Sequence, residues 1–181
     1  MRQGDESAFA ELFERHRAAV FRYARHMGGG NEADDVVQEV FLAFLRQLAS
    51  YDASRGPILA YLLGIARRQV LKGRVDAAAA EPYDEDSAGG DAHVESSMGN
   101  PFEDFNRNEL VERVRAAIAT LPPFYREAIV LCELNELDYA TAASVMSCPI
   151  GTVRSRLHRA RSMLTMRLAA MRRGMVTVDG R

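Results

Sequence analysis

The 181-residue chain has no tryptophan, two cysteines, six prolines, and no apolar run near the ~20 residues a membrane-spanning helix needs. Each scarcity removes a class of protein. Cys132 and Cys148 give no disulfide framework, and two thiols fall short of the four converging ligands of a structural zinc site. The opening MRQGDESAF is too polar for a secretion signal, so a cytoplasmic, reducing location is expected. Helical spacing begins so soon after Met1 that the start reads as trimmed. His16, His26, His93 and His158 are scattered, and HExxH, CxxC, a phosphate-cradling glycine loop and a nucleophile elbow are all missing. Neither catalysis, metal nor cofactor is therefore expected. His16 falls on an apolar face and Cys132 in an apolar run, which reads as packing rather than chemistry.

Two absences are local. Residues 76–106 hold nine acidic side chains and no basic one, while Ile150 to Arg173 hold seven arginines and no acid. The net charge of −2 is thus an average over unlike segments: +2 for residues 1–75, −9 for 76–106 and +5 for 107–181. The acidic stretch, with paired glycines and few apolar residues, reads as a flexible connector with helical turns only near Ala77–Ala80. It is either a passive tether or a segment that competes with nucleic acid for the basic faces. The expected organisation is a first domain over 1–75, the linker over 76–106, a second domain over 107–173, and a tail over 174–181.

What is present is helical periodicity. Phe9, Leu12, Phe13, His16, Val20, Tyr23, Ala24 and Met27 share one face of a helix that Gly28-Gly29-Gly30 stops. Asn31 is a suitable cap for a second helix with Glu32, Asp34 and Asp35 in its first turn, where the helix dipole favours negative charge. Its core stripe runs Ala33, Val36, Val37, Val40, Phe41, Phe44, Leu45, Leu48, leaving Asp34, Asp35, Gln38, Glu39, Leu42 and Arg46 on the surface. An exposed leucine among carboxylates is a plausible docking anchor with a charged rim. A third helix carries Ile58, Leu62, Ile65, Ala66 and Gln69 on one side and ends in the basic run Arg67, Arg68, Lys72, Arg74.

After the connector, Leu110, Val114, Ala117, Ile118 and Leu121 mark a fourth helix, and Pro122-Pro123 ends it and opens another over Phe124–Glu133 with Ile129 and Cys132 inward. A short helix, a Cys148-Pro149-Ile150-Gly151 break and a long helix follow. On the long helix Ile150, Val153, Leu157, Ala160, Leu164, Leu168 and Met171 form an apolar stripe, opposite Arg154, Ser155, His158, Arg159, Arg161 and Ser162. That is the plan of a helix-turn-helix whose second helix lies in a DNA major groove. Cys148 is expected to cap it, Pro149 to occupy its first turn and Gly151 to allow close approach, with the free amides and Thr152 meeting a phosphate. Arg154, Ser155 and His158 are expected at base edges; Arg156, Arg159 and Arg161 at phosphates. No strand-period alternation is convincing, so the fold class is all-α, two small helical domains.

Two motifs in this order resemble the extracytoplasmic-function (ECF) sigma factors of bacterial RNA polymerase. NEADDVVQEVFLAFLRQLASYD with LAYLLGIARR is similar to region 2 of that family, and LPPFYREAIVLCELNELDYATAASVMSCPIGTVRSRLHRARSML to region 4. The tandem, with an acidic linker in place of a middle region, is more specific than a lone helix-turn-helix. The resemblance implies a factor that binds core polymerase and selects promoters through −10 and −35 elements. It assigns the Asp34, Asp35, Gln38, Glu39, Leu42, Arg46 face to the beta-prime clamp coiled coil, with the beta flap as a further core contact. It gives Tyr61, Arg67, Arg68, Gln69, Lys72 and Arg74 to the melted −10 strand, which calls for a cationic groove and stacking surfaces. Thr152, Arg154, Ser155, Arg156, His158, Arg159 and Arg161 go to the −35 duplex, and an anti-sigma protein is implied as restrainer. The chain departs from the family at Tyr61, where tryptophan is usual, at Arg68, often asparagine, and at Lys72, where aspartate is expected. These bear on the −10 base preference. A stand-alone helix-turn-helix regulator of duplex DNA, or a polymerase-binding module without DNA contact, are the competing readings.

Overall fold

The computed structural model describes the backbone of residues 6–28, 33–80 and 101–176 and the side chains of 6–28, 33–73 and 109–171. Among the described residues there are seven α-helices and no strand. The first lobe is α1 (Glu6–Gly28), α2 (Ala33–Arg46) and α3 (Ile58–Ala80); the second is α4 (Pro101–Ala119), α5 (Pro123–Ile129), α6 (Tyr139–Met146) and α7 (Ile150–Val176). Helix therefore enters the connector from both ends, beyond the boundaries that charge composition suggested. Asn31, Glu32, most of the acidic connector and the last residues of the tail lie outside the described residues.

In the first lobe Val20, Tyr23, Ala24, Val40, Phe41 and Phe44 are buried, with Phe9 and Phe13 closing an edge-on cluster around Phe41 at 6.2 and 4.7 Å. Each such side chain withdrawn from water contributes about 1.5–3 kcal/mol. On α1 to α4, two members of the expected stripes do not join the core: Leu45 is 42% exposed and Leu110 is 61% exposed. Leu63 and Val70, which the one-sided pattern omitted, are buried. The reason is tertiary. α3 is packed by α1 and α2 on one side and by α6 of the second lobe on another, so its buried residues cover a wide arc rather than a single stripe.

The lobes are thus in contact. α1 also meets α4, α5 and the turn after α5, and the buried apolar side chains of both lobes form one connected cluster. In the second lobe, Pro123 stands at the start of α5 where its missing N–H costs nothing. α5 then passes into a π turn over Val130–Leu134, closed by the Asn135 amide donating to Val130 O at 3.0 Å. Ile129 is buried while Cys132 is only half-buried; burial is the main cause pushing its thiol up to about 11, so it stays protonated near neutral pH. His16 is likewise half-buried, and burial lowers its tendency to charge. No helix of the described residues is long and apolar enough to cross a membrane.

Candidate nucleic-acid interface

The helix-turn-helix is built by short-range bonds. Asp138 caps α6 by accepting from the Thr141 amide at 2.9 Å and the Thr141 hydroxyl at 2.7 Å, and these bonds hold its carboxyl below the usual range. α6 ends at Ser147 in the left-handed conformation, φ 52° and ψ 48°. The carbonyl of Pro149 then accepts from Thr152 and Val153 at 2.9 and 3.3 Å, opening α7. Pro149 rather than Cys148 therefore begins the recognition helix; the Cys148 amide turns back to Ala143 O at 3.1 Å. Gly151 also differs from expectation. A Cβ there would meet nothing within 4 Å, so no close approach inside the protein requires glycine.

Along α7, Val153, Leu157 and Ala160 are buried, Leu164 and Leu168 half-buried, while Ile150 and Met171 at the two ends of the stripe are exposed. The opposite face presents Arg154, Ser155, His158, Arg159 and Arg161 to solvent, with Thr152 and Arg156 half-buried at its margin. Several of these arginines rest on aromatic groups. Arg154 lies 5.8 Å from the Tyr139 ring centroid and Arg156 4.8 Å from that of Phe124, and Arg159 Nη1 donates to the Tyr125 hydroxyl at 3.3 Å. Phe124 is 58% exposed and, with Tyr125, Thr152, Ser155, Arg156 and Arg159, lines a groove of about 570 Å³. The aromatic support is what the sequence reading missed; the tandem Phe124-Tyr125 after two prolines was its visible signal. Arg161 is different, because its Nε donates to Glu133 at 3.1 Å and its charge is already matched. It is the weakest of the phosphate candidates.

The basic segment of α3 is less uniform than expected. The Tyr61 ring stands edge-on to Tyr51 at 5.4 Å and Phe44 at 6.1 Å, half-buried at the rim of the core. It borders a cleft of about 360 Å³ with Tyr51, Asp52, Arg55 and Arg68, facing Ser144 and Val145 of α6. Arg68 and Lys72 are exposed and Gln69 is half-buried; the Arg74 side chain lies outside the described residues. Among the described side chains Arg67 is drawn away: its Nε donates to Glu127 Oε1 at 2.8 Å, and Tyr23 donates its hydroxyl to the same oxygen at 2.8 Å. On α2, Asp34, Asp35, Gln38, Glu39, Leu42 and Arg46 are all exposed. Leu42 and Leu45, three residues apart, form one apolar spot there, larger than the single leucine expected.

Against known proteins, the family description "Sigma-70 region 2" matches residues 12–79 and "Sigma-70, region 4" matches residues 111–164. The chain is 33% identical over 175 residues to the ECF RNA polymerase sigma-E factor of Escherichia coli (strain K12), covering 91% of this chain and 88% of that protein. The chain belongs to the sigma-70 family, in its ECF group. This sigma factor is also 31% identical over 176 residues to ECF RNA polymerase sigma factor SigE of Mycolicibacterium smegmatis, spanning 92% of this chain but 65% of that one. Among solved structures, CnrH in complex with the cytosolic domain of CnrY aligns over 92% of this chain and 91% of that chain at 28% identity and a TM-score of 0.67. The sigma factor RpoE of Bartonella quintana, solved with the anti-sigma factor NepR, has the same fold at a TM-score of 0.70 and 23% identity, covering 90% of this chain and 98% of that one.

Proposed function

We propose that this sigma factor, a subunit that directs core RNA polymerase to promoters, divides its work among three faces. The α2 surface of Asp34, Asp35, Gln38, Glu39, Leu42 and Arg46, extended by Leu45, docks on core polymerase at the beta-prime clamp coiled coil, with the second lobe meeting the beta flap. The apolar spot supplies the anchor and the charged ring sets orientation. α3 and the loop before it receive the unpaired −10 strand, Arg68 and Lys72 meeting the backbone and Tyr61 offering a ring edge. α7 reads the −35 duplex, Arg154, Ser155 and His158 at base edges and Arg156 and Arg159 at phosphates. The domains follow the two lobes, with the acidic connector between them, and an anti-sigma protein competes for the same surfaces.

The observation that carries this reading is the two-sidedness of α7: Val153, Leu157 and Ala160 are buried while Arg154, Ser155 and His158 project together from the opposite side of a helix-turn-helix. Transcription with purified core polymerase on a genomic fragment library tests it. Adding the protein should create defined transcript starts, and Leu42→Asp should reduce core binding by tenfold or more in a titration. A stand-alone regulator would bind duplex DNA yet start nothing, and unchanged core affinity in the Leu42→Asp variant would remove the α2 face from the proposal.

A further inference from the structure

Arg154, Arg159 and Arg161 are steadied on α7 by contacts that differ in what they leave free. Arg161 gives its Nε to the Glu133 carboxylate at 3.1 Å, and Arg159 gives Nη1 to the Tyr125 hydroxyl at 3.3 Å. Each such bond commits an N–H that a ligand would otherwise receive. Arg154 instead lies over the ring of Tyr139, its Cζ 5.8 Å from the centroid, inside the ~6 Å reach of a cation–π attraction. A ring steadies the cation through its face and uses none of the five N–H donors, so the planar fork stays open to a bidentate partner. Among the described residues no carboxylate pairs with Arg154. Tyr139 is itself well placed to hold a position. It is the first residue of α6, directly after the Asp138 cap, and α6 packs on α7. Arg161, two turns along α7 from Arg154, stays charged chiefly through Glu133 and to a smaller degree through the Tyr139 hydroxyl. Glu133, Arg161, Tyr139 and Arg154 thus form a row that runs from the π turn, past the start of α6, to the exposed side of α7.

We propose that Tyr139 is a positioning residue that determines specificity: it touches no base, and it sets how sharply Arg154 tells guanine from the other bases in the −35 duplex. The role rests on the functional reading of α7 above. An arginine meets guanine O6 and N7 through two parallel bonds, so discrimination depends on the orientation of the fork. A phosphate contact accepts many orientations. Released from its ring, the Arg154 side chain keeps its charge but must be ordered anew each time it binds, which costs rotamer entropy. Loss of the ring therefore lowers selectivity and spares the salt dependence, which counts the cations near phosphates. At a solvent-exposed site a contact of this kind corresponds to a factor of about two to five. Arg156 makes the contrast. Its guanidinium lies 4.8 Å from the Phe124 centroid and its Nη1 is 3.9 Å from Cys148 Sγ, half-buried at the margin of the face, where a phosphate rather than a base edge comes within reach.

Competition among −35 duplexes that differ at single base pairs, run on the full chain alone and bound to core RNA polymerase, tests this. Arg154→Ala first identifies the base pair that Arg154 reads. Tyr139→Leu, which keeps apolar bulk and removes the ring, should lower discrimination at that base pair about two- to fivefold, leaving other positions and the log–log salt slope unchanged. Tyr139→Phe keeps the ring and should hold the parent's ratio. In the Arg154→Ala background Tyr139→Leu should change nothing further, since the ring acts through that arginine. Tyr139→Met serves if circular dichroism shows that Tyr139→Leu does not fold. Unaltered discrimination in Tyr139→Leu, or an equal loss when Arg154 is already gone, would overturn the proposal. So would a weakening of all sequences alike by Tyr139→Phe, which would make the hydroxyl a backbone contact. If Arg154→Ala itself alters no single position, Arg154 is not a base contact and Tyr139 has nothing to aim. A selective Arg154→Ala beside a silent Tyr139→Leu sinks the role of Tyr139 and leaves that of α7 intact.

Discussion

Two of the arginine-bearing helices of this chain, α7 and α3, hold their charge in opposite ways. α7 keeps Arg154 and Arg159 in solvent, steadied by Tyr139 and Tyr125, whereas among the described side chains of α3 Arg67 is turned inward to Glu127 and Arg68 and Lys72 are left outside. One face is assembled before any ligand arrives; the other is divided between the protein and its prospective partner. A preformed arginine surface loses little side-chain freedom on binding, so affinity of α7 for duplex should depend on its own residues. Affinity of α3 for a single strand should depend on an equilibrium between lobes as well.

The comparison can be broken hardest at the foot of α7. Leu157→Ala removes a buried anchor and should cost about 2–5 kcal/mol in chemical denaturation. Because the buried residues of both lobes are connected, it should shift one shared transition; two separate transitions would show the lobes to be energetically independent. On the DNA side, Arg154→Ala should lose about 1–3 kcal/mol of discrimination at one −35 position, measured by competition among single-base promoter variants. Uniform weakening at every variant would move Arg154 to the backbone contacts. Arg159→Ala should weaken all sequences alike and flatten the log–log salt dependence by up to ~0.9, while Arg161→Ala, whose cation already pairs with Glu133, should change the slope less.

The gentlest test uses pH. His26 is lowered from 6.5 to about 4, first by burial and then by Arg115, Arg25 and Arg126, of which Arg115 and Arg126 belong to the second lobe. Parting the lobes removes those two cations and lets the imidazole charge more readily. A group whose pKa is depressed while the lobes are packed binds more protons once they part, so packing is favoured above about pH 6.5 and loses ground as pH falls toward 4. Scattering between pH 7.5 and 5 should show modest expansion that His26→Ala flattens; an unchanged acid response in that variant would assign it to other groups.

Periodicity in the sequence located all seven helices and the outward face of α7, because an amphipathic stripe records which side of a helix is dry. It did not locate what makes a helix dry on two sides. Leu63 and Val70 of α3 lie off the stripe that periodicity marked yet are buried, because α1, α2 and α6 all pack on that helix, and Leu110 was counted inward although its turn of α4 is open to solvent. Glu127 had a legible signal that went unused: in YREAIVL it shares a helical phase with Val130 and Leu131, both buried, so a carboxylate there demanded a partner. Which partner was not legible, since Tyr23 and Arg67 lie 104 and 60 residues away.

The shared carboxylate has a practical corollary for anyone cutting this protein in half. A break within residues 81–100 would yield two fragments, each carrying one torn edge: Glu127 and the α6 surface on one, Arg67 and the α3 surface on the other. Neither edge is a face that the intact polypeptide shows to water in this arrangement. Fragments prepared that way would be stickier and more eager for nucleic acid than their parent, and affinities measured on them would describe the pieces rather than the whole.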